Sequence, residues 1–328
     1  MIDSSTHPLV AVGVPTRHRP ALLRQTIDSI LAQRYRPLEI VVGDNSENTE
    51  TERMLAGLTM PEGVQLRYHR HRPPLLVSGN IGWVLEKACA TRALLLHDDD
   101  LLCPGGLDKL IAASDATPRA AVVYGRLRAM AEDGTDRPYE TARANRYNFR
   151  TPEWAGAQRC NLEAALRQQM AMDGYLVDAE LVRQVRFRPH AVVGHWTDVD
   201  FSIRLALATP DRPWVFVDDD VLRFRETANS LLRCQDHDYG HLQFLQQLSM
   251  LDVPDGCREA YERLMSVATR LAVLSAAKAG DRAKAWELMQ SRPYDLTWLH
   301  PMTVYRMFYI RNPALMRMIN RTFRGLRS

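Results

Sequence analysis

The chain has little that marks a membrane, secreted or nucleic-acid-binding protein. Five cysteines (Cys89, Cys103, Cys160, Cys234, Cys257) are scattered through 328 residues and never form a CxxC pair, which excludes a disulfide frame and a cysteine zinc site and favours reduced thiols in a cytoplasmic setting. No run of about 18 apolar residues is present, so a membrane span is not expected. The opening MIDSSTHPLV does not read as a secretory leader. A formal net charge of +3 gives no support to a nucleic-acid partner. The first strand-to-helix turn, GVPTRHRP, lacks both the GxGxxG of a dinucleotide site and the glycine-rich loop of a sugar-nucleotide pyrophosphorylase. No fixed-period repeat is visible.

What is present is an alternation of short apolar runs with amphipathic stretches. LVAVGVP (9–15), EIVVGDN (39–45), VQLRYHR (64–70), ALLLH (93–97), AAVVYGRL (120–127) and WVFV (214–217) read as strands. Pro20 opens a helix whose Leu23, Ile27, Ile30 and Leu31 share a face, and further helices are expected over 80–91, 106–114, 161–170 and 198–207. Continuous apolar strands between amphipathic helices imply an α/β fold, a doubly wound, mostly parallel sheet covered on both faces. Such sheets bind ligands beyond their strands' carboxyl ends. Those ends carry Thr16–Arg17, Asp44–Asn45 and Asp98–Asp100. From about residue 238 the sequence turns helical, with a hairpin turned at Gly280–Asp281. The expected division is a catalytic domain over 1–235 and a helical appendage over 236–328, available for packing, for homo-oligomer formation or for peripheral membrane contact.

LLLHDDDLL (94–102) is the most informative stretch. Adjacent carboxylates at a strand end repel one another unless a cation neutralises them. Oxygen ligands select a hard ion, Mg²⁺ or Mn²⁺, with Asp98 and Asp100 as ligands and Asp99 turned away or holding a neighbour; a solvated acidic loop is the plainer reading. Asp44 in VVGDNS can accept from the imide N–H of a uracil or simply form a turn. Arg17 can pair with a phosphate or with a surface carboxylate. In GHWTDVDFSIRL, Asp198 starts a helix and suits either a general base or a cap. Trp196 is a candidate platform for an acceptor sugar, while Trp83 fits core packing. The basic RYHRHR (67–72) can attract diphosphate or lie solvated, and a second triple, Asp218–Asp220, reads as a strand-end turn.

In order and spacing VAVGVPTRHRP, VVGDNS, HDDD and WTDVD followed by SIRL resemble the family 2 glycosyltransferases over residues 8–230. The resemblance implies a GT-A nucleotide-diphospho-sugar transferase fold and inverting, metal-dependent transfer of a hexose or N-acetylhexosamine to an acceptor hydroxyl on a glycan, lipid-linked sugar or small metabolite. The implied donor is a UDP-sugar, with UDP-GlcNAc preferred. Carried over by motif, Val14, Pro15, Thr16 and Arg17 line the nucleotide pocket, Asp44 holds uracil, and Asn80 in SGNIG lies near base and ribose. Asp98 and Asp99 also face the nucleotide sugar, Asp98 and Asp100 fit the metal positions, and Asp198 matches the base. Thr197 replaces the acid that usually precedes that base, and in RFRETANS Glu226 stands where a histidine that helps hold metal or diphosphate is usual. These departures leave open the alternative of a non-catalytic sugar-nucleotide or partner-binding module of the same fold.

Overall fold

A computed structural model describes residues 7–170, 172–226, 240–294 and 301–316. The chain separates into two compact units: Met1–Arg188 with Asp198–Ala228, and Pro189–Thr197 with Asn229–Ser328. The boundary expected at 235/236 falls outside the described residues.

The first unit is built on one nine-stranded sheet. Its strands are β1 (Val10–Thr16), β2 (Leu38–Asp44), β3 (Val64–Arg70), β4 (Arg92–Leu95), β5 (Leu101–Leu102), β6 (Val122–Met130), β7 (Gly156–Ala157), β8 (Tyr175–Asp178) and β9 (Trp214–Arg225). They lie in the order β3-β2-β1-β4-β8-β6-β9-β5, with β7 also on β9. β1, β2, β3 and β4 are mutually parallel; β8 is antiparallel to both β4 and β6, which turns β6 and β9 back to the direction of β4. Only β5, β7 and β8 run the other way, so the sheet is mostly parallel.

Residues of β1 and β2 are buried on both faces, as strands covered by helices on each side require. Each Val, Ile or Leu buried there contributes roughly 1.5–3 kcal/mol. The helix Val77–Glu86 presses so closely on this pair that two glycines are obligatory. A Cβ at Gly13 would meet Val84 Cγ2 at 2.9 Å, and one at Gly43 would meet Asn80 Oδ1 at 2.3 Å. Helices Pro20–Leu31 and Gly106–Ala116 form much as the apolar spacing predicts.

The second unit is helical. Gly280, at φ +88°, ends the long helix Arg258–Ala279, and Asp281 caps Arg282–Gln290 by accepting from Lys284 N, which makes the expected hairpin. Its alanine-rich seam packs with Leu288, Tyr294, Tyr309 and Ile310. The helix His190–Val193 packs on Gly240–Ser249, where a Cβ on Gly194 would collide with the Gly240 backbone at 2.2 Å. Among the described residues no helix is long and apolar enough to cross a membrane.

Candidate active site

The carboxyl ends of β1, β2 and β4 point to one edge of the sheet and deliver Thr16–Arg19, Asp44–Ser46 and His97–Asp100 there. Two later segments reach the same edge. β8 runs against β4, so its entry residues Asp173 and Gly174 sit where β4 ends, with Gly174 N donating to the Leu95 carbonyl at 2.8 Å. β9 runs with β4 and ends there at Arg225. Antiparallel insertion therefore adds a fourth carboxylate to the three read in HDDD.

The acidic triple divides into an outer and an inner part. Outside, Asp98 Oδ2 accepts from the Thr16 hydroxyl at 2.6 Å, and Arg19 Nη1 reaches Asp98 Oδ1 at 3.4 Å and Asp99 Oδ2 at 2.7 Å. Burial pushes the Asp98 carboxyl up to about 6, against the pull of Thr16 and Arg19. Burial opposes the Arg19 charge too, but Asp98 and Asp99 hold its pKa above the ordinary value.

Inside, Asp100 is 1% exposed and Asp173 2%. Asp100 Oδ1 accepts from Arg225 N at 2.6 Å, and the Arg225 side chain clamps the Asp99 carbonyl through Nε at 2.8 Å. Asp173 Oδ2 accepts from His97 N at 2.9 Å. Burial, then the neighbouring Asp173 charge, drives the Asp100 carboxyl well up, and burial raises Asp173 as well. Burial works against a charge on His97, yet Asp173, Asp99, Asp198 and Asp98 together raise its pKa. Asp198, half-buried in the first turn of Thr197–Ala208, is thus within electrostatic reach of the acidic centre, and it acts on the buried Tyr175 hydroxyl together with Asp173. Asp200, the other acid of that turn, is tied to Arg204 at 2.8 Å.

Asp100 Oδ2 and Asp173 Oδ1 are buried with no hydrogen-bond partner among the described residues. With one His97 ring nitrogen, one oxygen from each acid makes a ligand set lying within 4.8 Å. Two raised carboxyls beside an imidazole form a donor set that fits a divalent metal. This set differs from the one expected. Asp100 belongs to it, Asp98 is engaged by Thr16 and Arg19, and Glu226 pairs with Arg137 at 3.4 Å. Among the described residues the ligand atoms that gather are those of His97, Asp100 and Asp173.

At the other end of the edge, Asp44 is fully buried; its Oδ1 accepts from Ser46 N at 2.8 Å and its Oδ2 from the Tyr68 hydroxyl at 2.9 Å. Asn80 is not open to a ligand: Nδ2 donates to the Gly43 carbonyl at 2.9 Å and Oδ1 meets His71 Nε2 at 3.0 Å, locking the helix Val77–Glu86 to the end of β2. Val14 packs in the hydrophobic core, so only its backbone can line the edge, next to the half-buried Pro15. Arg17 takes the surface-carboxylate alternative, pairing with Glu47 at 3.0 Å, and His18 meets the same carboxylate.

Three further expectations are corrected. Trp196 is no open platform: it is 8% exposed, stacked on Phe244 at 4.5 Å, and its indole N–H donates to His241 Nδ1 at 2.8 Å. Trp83 stacks on His69 at 4.9 Å rather than entering the core. Asp218–Asp220 is not a strand-end turn but a bulge inside β9, where register shifts opposite Gly125–Leu127 aim Asp218 and Asp220 at Arg126 (2.9 and 3.2 Å) while Asp219 meets Lys109 at 2.8 Å. Cations already neutralise this triple.

Comparison with known proteins agrees with this fold. The sequence profile of Glycosyl transferase family 2 matches residues 11–172, the segment from β1 to the acidic entry of β8. The O-antigen biosynthesis protein RfbC of Myxococcus xanthus is 33% identical over 119 residues, covering 35% of this chain and 9% of that protein. The GalNAc(5)-diNAcBac-PP-undecaprenol beta-1,3-glucosyltransferase of Campylobacter jejuni is 30% identical over 109 residues, 32% of this chain and 34% of that protein. The matches thus span about a third or less of these relatives' length. The structure of S. aureus TarS 1–349 with UDP-GlcNAc superposes with a TM-score of 0.63 at 13% identity, covering 97% of this chain and 92% of that one. The Pyrobaculum calidifontis mannosyltransferase PcManGT with GDP-Man and Mn²⁺ gives 0.55 at 17% identity, covering 94% and 88%. At such identities the likeness shows the fold, the GT-A architecture that the motifs imply.

Proposed function

We propose that this chain, whose residues 11–172 match the profile of Glycosyl transferase family 2, is a glycosyltransferase of that family and transfers a hexose or N-acetylhexosamine from a UDP-sugar to an acceptor hydroxyl, with inversion at the anomeric carbon. The observation that carries the reading is the convergence of Asp98, Asp99, Asp100 and Asp173 with His97 and Asp198 at the carboxyl edge of the parallel strands. Such a concentration of buried acid is tolerable when a dication and a diphosphate share it. TarS, a structural neighbour, is seen with UDP-GlcNAc, the donor this reading prefers. The Campylobacter relative is named for an undecaprenol-linked acceptor, one of the acceptor classes the reading includes.

Asp198 is the general base: it takes the proton of the acceptor hydroxyl as that oxygen attacks, help worth ~10²–10⁴-fold in rate. Thr16 and Arg19 fix Asp98 and Asp99 at the mouth, and the backbone from Val14 to Arg17 lines the nucleotide. Asp44 reads the base by exchanging the Tyr68 hydroxyl on Oδ2 for a uracil imide N–H. Held by His97, Asp100 and Asp173, a divalent cation would lend positive charge to the departing diphosphate. The imidazole in that set favours Mn²⁺ over Mg²⁺, which prefers oxygen alone.

The test is release of nucleoside diphosphate from UDP-GlcNAc, UDP-glucose, UDP-galactose and GDP-mannose, with and without Mn²⁺. The reading expects Mn²⁺-dependent UDP release, greatest from UDP-GlcNAc. Binding of every donor without release would instead assign a non-catalytic module, and no binding at all would remove the nucleotide site.

A further inference from the structure

Away from the acidic centre, a cleft of about 510 Å³ lies among β6, β9, the helix Pro138–Tyr147 and the turn Pro152–Trp154. Four guanidinium groups line it (Arg126, Arg128, Arg146 and Arg150) against two carboxylates, Asp136 and Asp220. The two halves of this lining differ. Arg126 is held by Asp218 and Asp220 at 2.9 and 3.2 Å, and Arg128 by Asp136 at 2.7 Å. Arg146 and Arg150 have no carboxylate partner among the described residues.

Arg150 is the unusual member. It is 2% exposed, and its Nε donates to the Gln169 carbonyl at 2.6 Å. Its terminal nitrogens meet no protein acceptor among the described residues, although it lines the cleft. Burial brings its pKa down to about 10, so it stays charged at neutral pH. A buried guanidinium with no carboxylate within salt-bridge distance among the described residues is unfavourable, and its forked donors match an oxyanion. Arg150 also lies near enough to Asp173 for that carboxylate to act on its charge, so the floor of the cleft backs onto the acidic centre.

We propose that this cleft binds a phosphate group carried by the acceptor, with Arg150 at its floor and Arg146 at its rim as the phosphate ligands. One cationic pair answers the double charge of a phosphate better than the single charge of a carboxylate. The assignment of this phosphate to an acceptor rests on the transferase reading; the anion site itself does not.

The test is calorimetric titration of the full chain, with UDP and Mn²⁺ saturating, by glycerol 3-phosphate, glycerol, glucuronate and inorganic phosphate. The expected result is binding of glycerol 3-phosphate and not glycerol, weakened roughly tenfold in R146A, the loss that one charge-assisted hydrogen bond carries. Charge reversal in R146E and removal of the buried charge in R150M should abolish it. UDP affinity on the same variants reports whether each still folds, and R146E, a surface change, decides the matter if R150M does not fold. Unchanged affinity in R146A and R146E, tighter binding of glucuronate, or competition between UDP and glycerol 3-phosphate would each overturn the proposal. Inorganic phosphate binding as tightly as glycerol 3-phosphate would leave the anion site but remove the acceptor from it. Should UDP itself not bind, the titration without UDP still judges the cleft through Arg146, and only the transferase reading falls.

Discussion

Replacing Asp173 by Asn should make the metal-free protein more stable at alkaline pH. The inner acids offer ligand atoms within 4.8 Å of one another, where two ionised carboxylates repel by roughly 3.5 kcal/mol at an effective dielectric constant of 20. A charged His97 beside both acids offsets this repulsion, and the repulsion is felt in full once the imidazole loses its proton at alkaline pH. Burial raises both carboxyl pKa values in the folded protein, so the native state keeps a proton that the unfolded chain has already released. For a raised carboxyl the stabilisation is present at acid pH and fades as pH climbs through the folded value. The variant, with one acid gone, escapes most of that decline. Its melting temperature should match or fall below wild type at pH 5 and exceed it at pH 8, by about 2–4 °C for each kcal/mol of repulsion relieved. Mn²⁺ at a hundred times its dissociation constant should add ~2.7 kcal/mol to wild type and almost nothing to D173N. Melting followed by circular dichroism at the two pH values, with and without Mn²⁺, measures all four quantities. A D173N protein destabilised equally at both pH values, beside a wild type indifferent to pH and Mn²⁺, would refute the reasoning.

Other perturbations probe separate parts of the account. Asp198→Asn should lower transfer by ~10²–10⁴-fold while leaving donor affinity within twofold in a binding titration; strong residual transfer would remove Asp198 as base. Gly43→Ala places a Cβ 2.3 Å from Asn80 Oδ1 and 2.8 Å from Val84 Cγ1, and should cost about 1–3 kcal/mol in denaturant unfolding. Trp196→Ala should cost ~3–5 kcal/mol, chiefly in the helical unit, because it empties the stack on Phe244 and removes the indole donor to His241. A rise in acceptor KM with unchanged stability would restore Trp196 as a sugar platform.

The parts of the fold legible in the sequence were those set by local pattern. VQLRYHR reads as a strand and is β3, residue for residue, and the turn at Gly280–Asp281 needs only a positive φ and a capping acid. The edge of the sheet was legible too, because parallel strands with polar carboxyl ends must gather those ends. What depended on pairing was not. β8 is four residues long, and its reversed direction, which brings Asp173 to the acidic centre, leaves no mark on periodicity. HDDD shows four polar residues in a row, but only the partners Thr16, Arg19 and Arg225 decide which acids face outward and which turn in. Glu226 follows Arg225 in the chain, yet that same backbone, bonded to Asp100, points the Glu226 side chain toward Arg137. The Asp218–Asp220 triple likewise resembles the first until the bulge brings Arg126 against it.

In the proposed mechanism the acids gathered where β4 meets β8 hold the metal on which a nucleotide sugar is turned over. An anomalous-scattering map of crystals soaked in Mn²⁺ and UDP tests it directly. The account predicts one manganese peak among His97, Asp100 and Asp173, with UDP extending from it toward Thr16 and Asp44. A peak at Asp218–Asp220 or Glu226, or UDP bound elsewhere with no manganese at this edge, would contradict it.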